Sequence, residues 1–350
     1  MIRHAEAEGN IYRRAHGHYN GLITRKGYSQ IERLRERFKS ERINAVYSSD
    51  LTRTIETAKA LSVPRDLEII TTEKLREIGF GTYEDIAWGN MEHSDPQMSA
   101  LFNSDPANWH VPGSESYESV LTRLTGFIVD VAVRHEGESI ALFSHGFAIR
   151  AYITKLLGYK SHESNNVKYH DNTAVTVLHY EDGEISIKLQ GDNSHLSTLD
   201  STLAHQSWWR EEKNSYRENL RYTPLDEEAD MDILDAFIKE IGRRPAADLV
   251  YSAFLADEPV GLLGLCEAKE NADKAGWVSY IYIKPEFQRT DYGIQLIGHA
   301  VSLSRKANKE FLRIDAVRDS FAYRLCLSDG FICKSDSGTD CVLEKSIRNW

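Results

Sequence analysis

Behind the hydroxyl of Thr24, the apolar positions Ile31, Leu34 and Phe38 fall at helical spacing, and the pattern stops before a short apolar run, Ile43 to Tyr47. It predicts a helix followed by a buried strand. The alternation continues with a helix over Arg53 to Leu61, a strand near Leu67 to Ile70, and a long amphipathic helix carrying Val120, Leu121, Leu124, Phe127, Ile128 and Val131. A strand at Ser139 to Phe143 and a helix from Phe147 to Leu157 follow. Helices alternating with short buried strands predict an α/β domain around a mostly parallel sheet. Thr173 to Tyr180 and Glu184 to Leu189 flank Glu181-Asp182-Gly183 and predict a hairpin that closes it.

Beyond Leu199 the pattern changes. Residues 200–219 are rich in charge, with Trp208, Trp209 and Tyr216 interspersed, and predict a helical connector packed on a domain, since a loose linker is poor in tryptophan. From Leu220 come an apolar strand, a helix holding Ile233, Leu234, Phe237 and Ile241, and strands at Val250 to Leu255, Val260 to Cys266 and Trp277 to Ile283. A meander of strands ahead of a second helix predicts an α+β domain. The expected organisation is thus a domain over 1–199, a connector over 200–219 and a domain over 220–350.

A chain of 350 residues fits two cores of roughly 150 residues each. The net charge of −11 repels a phosphate backbone, which argues against nucleic acid and requires a local basic pocket for any small anionic substrate. No apolar stretch approaches the roughly 20 residues that cross a bilayer, and the first residues lack signal-peptide character, so a cytoplasmic protein without a membrane partner is expected. Cys266, Cys326, Cys333 and Cys341 form no Cys-x-x-Cys pair, which predicts free thiols and no metal site.

Phosphoryl transfer needs a nucleophile, cations around the phosphoryl oxygens and a proton donor for the leaving oxygen. A neutral imidazole attacks without first losing a proton, and a guanidinium binds phosphate bidentately. Arg3-His4 offers both, within Arg3-His4-Ala5-Glu6 and with Asn10 six residues on. This opening resembles that of the histidine phosphatase, or phosphoglycerate-mutase-like, superfamily. Leu22 to Gln30, Ser48 to Ala58, Leu75-Arg76-Glu77-Ile78 with Phe80-Gly81, Gly113 to Tyr117, and Ser144-His145-Gly146 resemble further family segments in the family's order. The resemblance implies that His4 becomes a phosphohistidine, that Arg3, Arg53 and His145 hold the phosphoryl group, that Glu77 is general acid and then base, and that Asn10 is an extra phosphate donor. The other histidines, His16, His18, His93 and His110, read as structural hydrogen-bonders. Only Met1 and Ile2 precede Arg3, whereas a strand of about five residues is usual. So short a strand is expected not to pair at a central position, and the chain is expected to begin late.

After the strand Trp277 to Ile283, Gln288-Arg289-Thr290-Asp291-Tyr292-Gly293 resembles the pyrophosphate loop of GNAT N-acetyltransferases, in which backbone N–H groups at a helix start meet the diphosphate of acetyl-CoA. Phe311 to Val317, Asp319 to Ala322 and Gly330-Phe331 resemble the fold's later part. Asp291 stands where the family has a glycine, and Cys326 where many members carry a tyrosine that protonates the departing thiolate. The combined expectation is a phosphatase for a small phosphorylated metabolite, hydrolytic rather than mutase-like, fused to an acetyl-CoA-dependent N-acetyltransferase. The alternatives are a phosphatase fused to a non-catalytic acyl-CoA sensing or docking module, a phosphoglycerate-mutase-type phosphotransferase, and a phosphatase acting on proteins. Oligomeric state is left open.

Overall fold

The computed structural model describes the chain apart from residues 207, 210–218, 227, 243, 245, 267–273, 289 and 349–350. The chain divides into two compact units: Met1–Glu8, Ala15–Asp85 and Ser94–Glu211 form the first, and Gly9–Arg14, Ile86–His93 and Glu212–Trp350 the second. Most of the expected helical connector lies outside the described residues.

In the first unit, β1 (Ile2–Arg3), β2 (Ala45–Ser49), β3 (Ile69–Thr72) and β4 (Ile140–Ser144) run parallel, and β5 (Val175–Glu181) and β6 (Glu184–Asp192) add an antiparallel hairpin. Among the described residues the sheet order is β3-β2-β4-β1-β5-β6. The helices up to this point are α1 (Glu8–Ile11), α2 (Arg25–Arg37), α3 (Thr52–Ser62), α4 (Trp88–Ser94), α5 (Pro96–Ser104), α6 (Tyr117–Arg134) and α7 (Gly146–Leu156). Ile31 and Leu34 of α2 and Ala58 and Leu61 of α3 pack with Ile2, Val46, Ala141, Phe143 and Val175 of the sheet. Full burial of one such aliphatic side chain contributes about 1.5–3 kcal/mol.

The expectation that a two-residue strand cannot pair centrally is corrected here. β1 lies between β4 and β5, with Arg3 opposite Ser144 and Ile2 opposite Val175. Hydrogen bonds just beyond it complete the pairing: His4 N–H donates to the Ser144 carbonyl (3.0 Å) and Thr176 N–H to the Met1 carbonyl (2.8 Å). The longer neighbours supply the order that the short strand lacks.

Helix α2 starts where the Thr24 hydroxyl accepts from Gly27 N–H (2.9 Å), and that same hydroxyl donates to the Glu6 carboxylate (2.7 Å). Gln30, one turn on, accepts from Glu6 N–H (2.7 Å). The helix start is therefore tied to the chain leaving β1. A side chain at Gly27 would bring Cβ within 2.2 Å of the Glu6 carbonyl oxygen, so the backbone of one element occupies the space beside the other.

The second unit adds β7 (Arg221–Pro224), α8 (Met231–Ile241), β8 (Leu249–Leu255), β9 (Glu258–Cys266), β10 (Ala275–Ile283), α9 (Tyr292–Lys306), β11 (Phe311–Val317), α10 (Phe321–Ser328), β12 (Ile332–Asp336) and β13 (Asp340–Ser346). Its strands, among the described residues, follow the order β12-β13-β11-β10-β9-β8-β7. Tyr12 belongs to this unit's core, its hydroxyl donating to Asp329 (2.9 Å) and accepting from Lys345 (2.7 Å).

Gly27→Ala is expected to destabilise the protein by about 1–3 kcal/mol, because the clash is with backbone rather than with a side chain that can rotate away. Urea unfolding would show a lower midpoint at unchanged slope; an unchanged midpoint would mean that the α2 start is not packed against Glu6.

Candidate active site

Three neighbouring parallel strands, β1, β4 and β2, end on the same side of the sheet, and the residues that follow them converge. His4 follows β1, His145 follows β4 as the cap of α7, and Arg53 lies in the first turn of α3 just after β2. In open α/β sheets the carboxyl ends of the strands are where ligands bind. Because Arg3 and Ser144 are paired, His4 and His145 stand side by side, with ring centroids 5.2 Å apart. Both rings are buried.

Hydrogen bonds set opposite tautomers on these two rings. The Ala5 carbonyl can only accept, so the 2.8 Å contact with His4 Nδ1 puts the proton on Nδ1 and leaves Nε2 as a lone pair. Arg53 Nε can only donate, so its 3.2 Å contact with His145 Nδ1 makes that nitrogen the acceptor and places the His145 proton on Nε2. His145 Nε2 and Arg3 Nε are buried without a hydrogen-bond partner among the described residues. Two oriented donors thus accompany one basic nitrogen.

Arg53 is fully buried, and burial pushes its guanidinium down to about 10. Beyond the His145 bond, its Nη atoms donate to His16 Nε2 (3.0 Å), to the His16 (3.2 Å) and Gly17 (2.7 Å) carbonyls and to the Tyr19 carbonyl (3.1 Å). All five of its N–H groups are engaged. Arg3 donates through Nη1 to the His170 carbonyl (2.5 Å), and its guanidinium lies against Gly146, where an added Cβ would stand 3.1 Å from Nε. The missing side chain in Ser144-His145-Gly146 therefore leaves room for an arginine.

Glu77 closes the group. Its carboxylate accepts from the backbone N–H of Ile78 (3.1 Å), Phe147 (3.0 Å) and Ala148 (2.9 Å), the last two in the first turn of α7. Helix α6 braces its backbone through Arg123, which donates to the carbonyls of Lys74 (2.9 Å), Arg76 (2.7 Å) and Glu77 (2.9 Å) while pairing with Glu115 (2.7 Å). The structure thus brings Arg3, His4, Arg53, Glu77 and His145 together. Asn10 lies in α1, within the segment Gly9–Arg14 that belongs to the second unit. His16, read from sequence as one structural histidine among several, bonds Arg53 with its ring 6.3 Å from that of His4. Its one sequence signal was a place in the loop between the motif and α2.

In the second unit, parallel pairing of β10 with β11 stops, among the described residues, at Val278 and Ile314, although the strands run on to Ile283 and Val317. A bulge between Val278 and Tyr280 marks the place where they part. Of the loop residues, Arg289 lies outside the described residues. The Gln288 amide donates to the Ile283 carbonyl (2.9 Å), the Thr290 hydroxyl donates to the Phe287 carbonyl (2.6 Å), and Tyr292 is buried at the start of α9. Gly293 faces α10, where an added Cβ would come within 2.8 Å of Leu325. Asp291 is the N-cap residue of α9 and puts a carboxylate where a diphosphate would meet the helix. That carboxylate disfavours a diphosphate at this helix start. Cys326 is fully buried within the second unit's core, and burial pushes its thiol well above the ordinary value.

Among the described residues, no cluster of His, Cys, Asp or Glu is arranged to hold a metal ion, and no helix is long and apolar enough to cross a membrane.

A parallel sheet that gathers two buried imidazoles and two guanidinium groups at its strand ends makes a pocket suited to an anion, and comparison with known proteins gives the family. Residues 1–193 match the family model of the histidine phosphatase superfamily (branch 1), to which the chain belongs, and residues 206–325 match that of the acetyltransferase (GNAT) family. Phosphoglycerate mutase-like protein 4 of Arabidopsis thaliana is 30% identical over 200 residues, which is 56% of this chain and 85% of the relative. Phosphoserine phosphatase 1 of Hydrogenobacter thermophilus is 28% identical over 182 residues, 52% of this chain and 86% of that protein. Among solved structures, Bacillus stearothermophilus YhfR superposes with a TM-score of 0.54 at 26% identity, over 56% of this chain and 97% of its own.

His4 and His145 are both held well below the usual histidine value, in each case by burial first and then by the charge of Arg53. Unfolding exposes rings that protonate near 6.5, while the folded rings stay neutral. The unfolded state therefore binds more protons as pH falls below 6.5, and stability should drop by about 1.4 kcal/mol per pH unit for each ring until the depressed folded value is reached. Thermal unfolding from pH 7.5 to 5 should show this slope, shallower in His145→Gln; an equal slope in the variant would contradict a neutral buried His145.

Proposed function

We propose that the first unit is a phosphatase that hydrolyses a small phosphomonoester through a phosphohistidine on His4. The observation that carries this reading is the His4 Nδ1 contact with the Ala5 carbonyl, which directs the Nε2 lone pair away from its own backbone beside the unpartnered donors of His145 and Arg3. In the first step Nε2 attacks phosphorus, the bond to the leaving oxygen breaks, and Glu77 gives that oxygen a proton. In the second, water attacks phosphorus, Glu77 takes the water's proton, and the nitrogen–phosphorus bond breaks to release inorganic phosphate. His145 Nε2–H and Arg3 meet the phosphoryl oxygens. Arg53 orients His145 and adds charge, and would have to release a protein acceptor to touch phosphate directly. The relatives' names include both phosphatases and mutase-like proteins. Hydrolysis is the reading adopted here, because the domain lacks evident insertions of the kind with which mutases retain a bisphosphate.

His4→Ala is expected to abolish phosphate release. With a radiolabelled phosphomonoester, a denaturing quench should recover acid-labile, protein-bound phosphate from the wild type and none from the variant; release at an unaltered rate from His4→Ala would end the assignment.

For the second unit, acetyl-CoA-dependent transfer to an amine is the GNAT family's reaction, and Asp291 and the burial of Cys326 favour a second reading in which this domain binds an acyl-CoA weakly and does not turn it over. Calorimetry on the full chain should give weak acetyl-CoA binding, tightened about fivefold in Asp291→Gly by removal of a carboxylate from a helix start. Equal affinity in the two proteins, or acetyl transfer to any of a panel of amines, would overturn this second reading.

A further inference from the structure

The leaving oxygen of a phosphomonoester bound at His4 has to face Glu77, so the side chains around Glu77 decide which leaving groups fit. On the α7 side these are aromatic. Phe147, whose backbone N–H holds the Glu77 carboxylate, stacks on Phe102 of α5 with ring centroids 5.1 Å apart and planes 20° from parallel. Phe102 in turn meets Phe80 and Trp109, each at 5.1 Å, and Tyr117 meets Phe147 edge-on at 6.2 Å. Phe80, Trp109 and Tyr117 are buried, whereas Phe102 and Phe147 are only partly so and form the accessible edge of the cluster. Trp109 Nε1 is buried without a hydrogen-bond partner among the described residues.

The cations of this region are already committed. Arg76 makes a two-pronged pair with Asp50 and also meets Glu73 (3.1 Å). Arg123 holds Glu115 and three carbonyls. Arg150 donates to the carbonyls of Ser164 and Val167 and to Asn165, with its guanidinium over the Tyr169 ring. A carboxylate on the leaving group would find aromatic faces and arginines already paired there, whereas a flat apolar ring would find faces to stack on.

We infer that the Phe102–Phe147 pair is the leaving-group wall of the site, and that the first unit selects phosphomonoesters whose leaving alcohol carries an aromatic ring over those whose leaving alcohol carries a carboxylate. The inference rests on the phosphatase reading and adds a substrate class to it. The ring stacks on the partly exposed pair while Glu77 protonates the departing oxygen.

Benzyl phosphate and O-phosphoserine test it, because both leave as alkoxides and differ in the ring against the amino and carboxylate groups. The ratio of their kcat/KM values, measured on the full chain, should favour benzyl phosphate by about tenfold or more. In Phe102→Ala and in Phe147→Ala the ratio should fall about fivefold, mainly through a higher KM for benzyl phosphate. A ratio taken within one preparation does not depend on how much of a variant is folded. Phosphoserine turned over as well as benzyl phosphate, or a ratio unmoved in both variants, overturns the inference while leaving the phosphatase reading intact. Absence of His4-dependent release from either ester, and from a wider panel of phosphomonoesters, overturns that reading and the inference with it.

Discussion

Two buried imidazoles lie against the buried guanidinium of Arg53 and the half-buried one of Arg3, and most of the first unit's local architecture accommodates that arrangement. Burial and the neighbouring charges both disfavour imidazolium, so the rings are neutral, and in a neutral ring one nitrogen carries the proton while the other does not. A carbonyl decides the choice at His4 and a guanidinium decides it at His145, in opposite senses. The pairing of Arg3 with Ser144 then brings the two rings together, one as base and the other as donor. The short β1 matters for this reason: it sets the register between two strand ends.

Much of this was legible in the chain because the information is local. The inner strands β2 and β4 are short apolar runs buried on both faces, and each was readable within one or two residues of its observed span. The motif residues lie immediately after strands, so strand adjacency was enough to gather them. What escaped depends on distant partners. His16 acquires its place from Arg53, 37 residues away, and nothing in its own neighbourhood distinguishes it from His18. The assignment of Gly9–Arg14 to the second unit rests on contacts such as Tyr12 with Lys345, which no periodicity reports. The pairing of β1 was misjudged because a strand's length says little when its neighbours extend past it.

The loop 288–293 shows the limit of motif reading in another way. The glycine that marks it is explained by packing, since Gly293 faces Leu325, and the side chains of Gln288 and Thr290 are turned to backbone carbonyls. A residue type that suggests a ligand contact can also be required by the packing of the fold. Asp291 points the same way, because a carboxylate at a helix start is favourable to the helix and unfavourable to an anion arriving there.

Charge balance connects the parts of the first site. Asp171 and then Glu77 counter the charge of Arg3, and Glu77, with Glu84 behind it, counters that of Arg53. Glu84 also accepts from the backbone N–H of His18 (2.9 Å) and Tyr19 (3.3 Å), and so fastens the loop whose carbonyls Arg53 bonds. A buried cation such as Arg53 without such partners would cost several kcal/mol, so the carboxylates serve the folded protein before they serve any chemistry. A phosphoryl dianion entering beside His4 would compete with Glu77 for the same field, and the tighter that dianion is held, the less the arginines depend on the carboxylate.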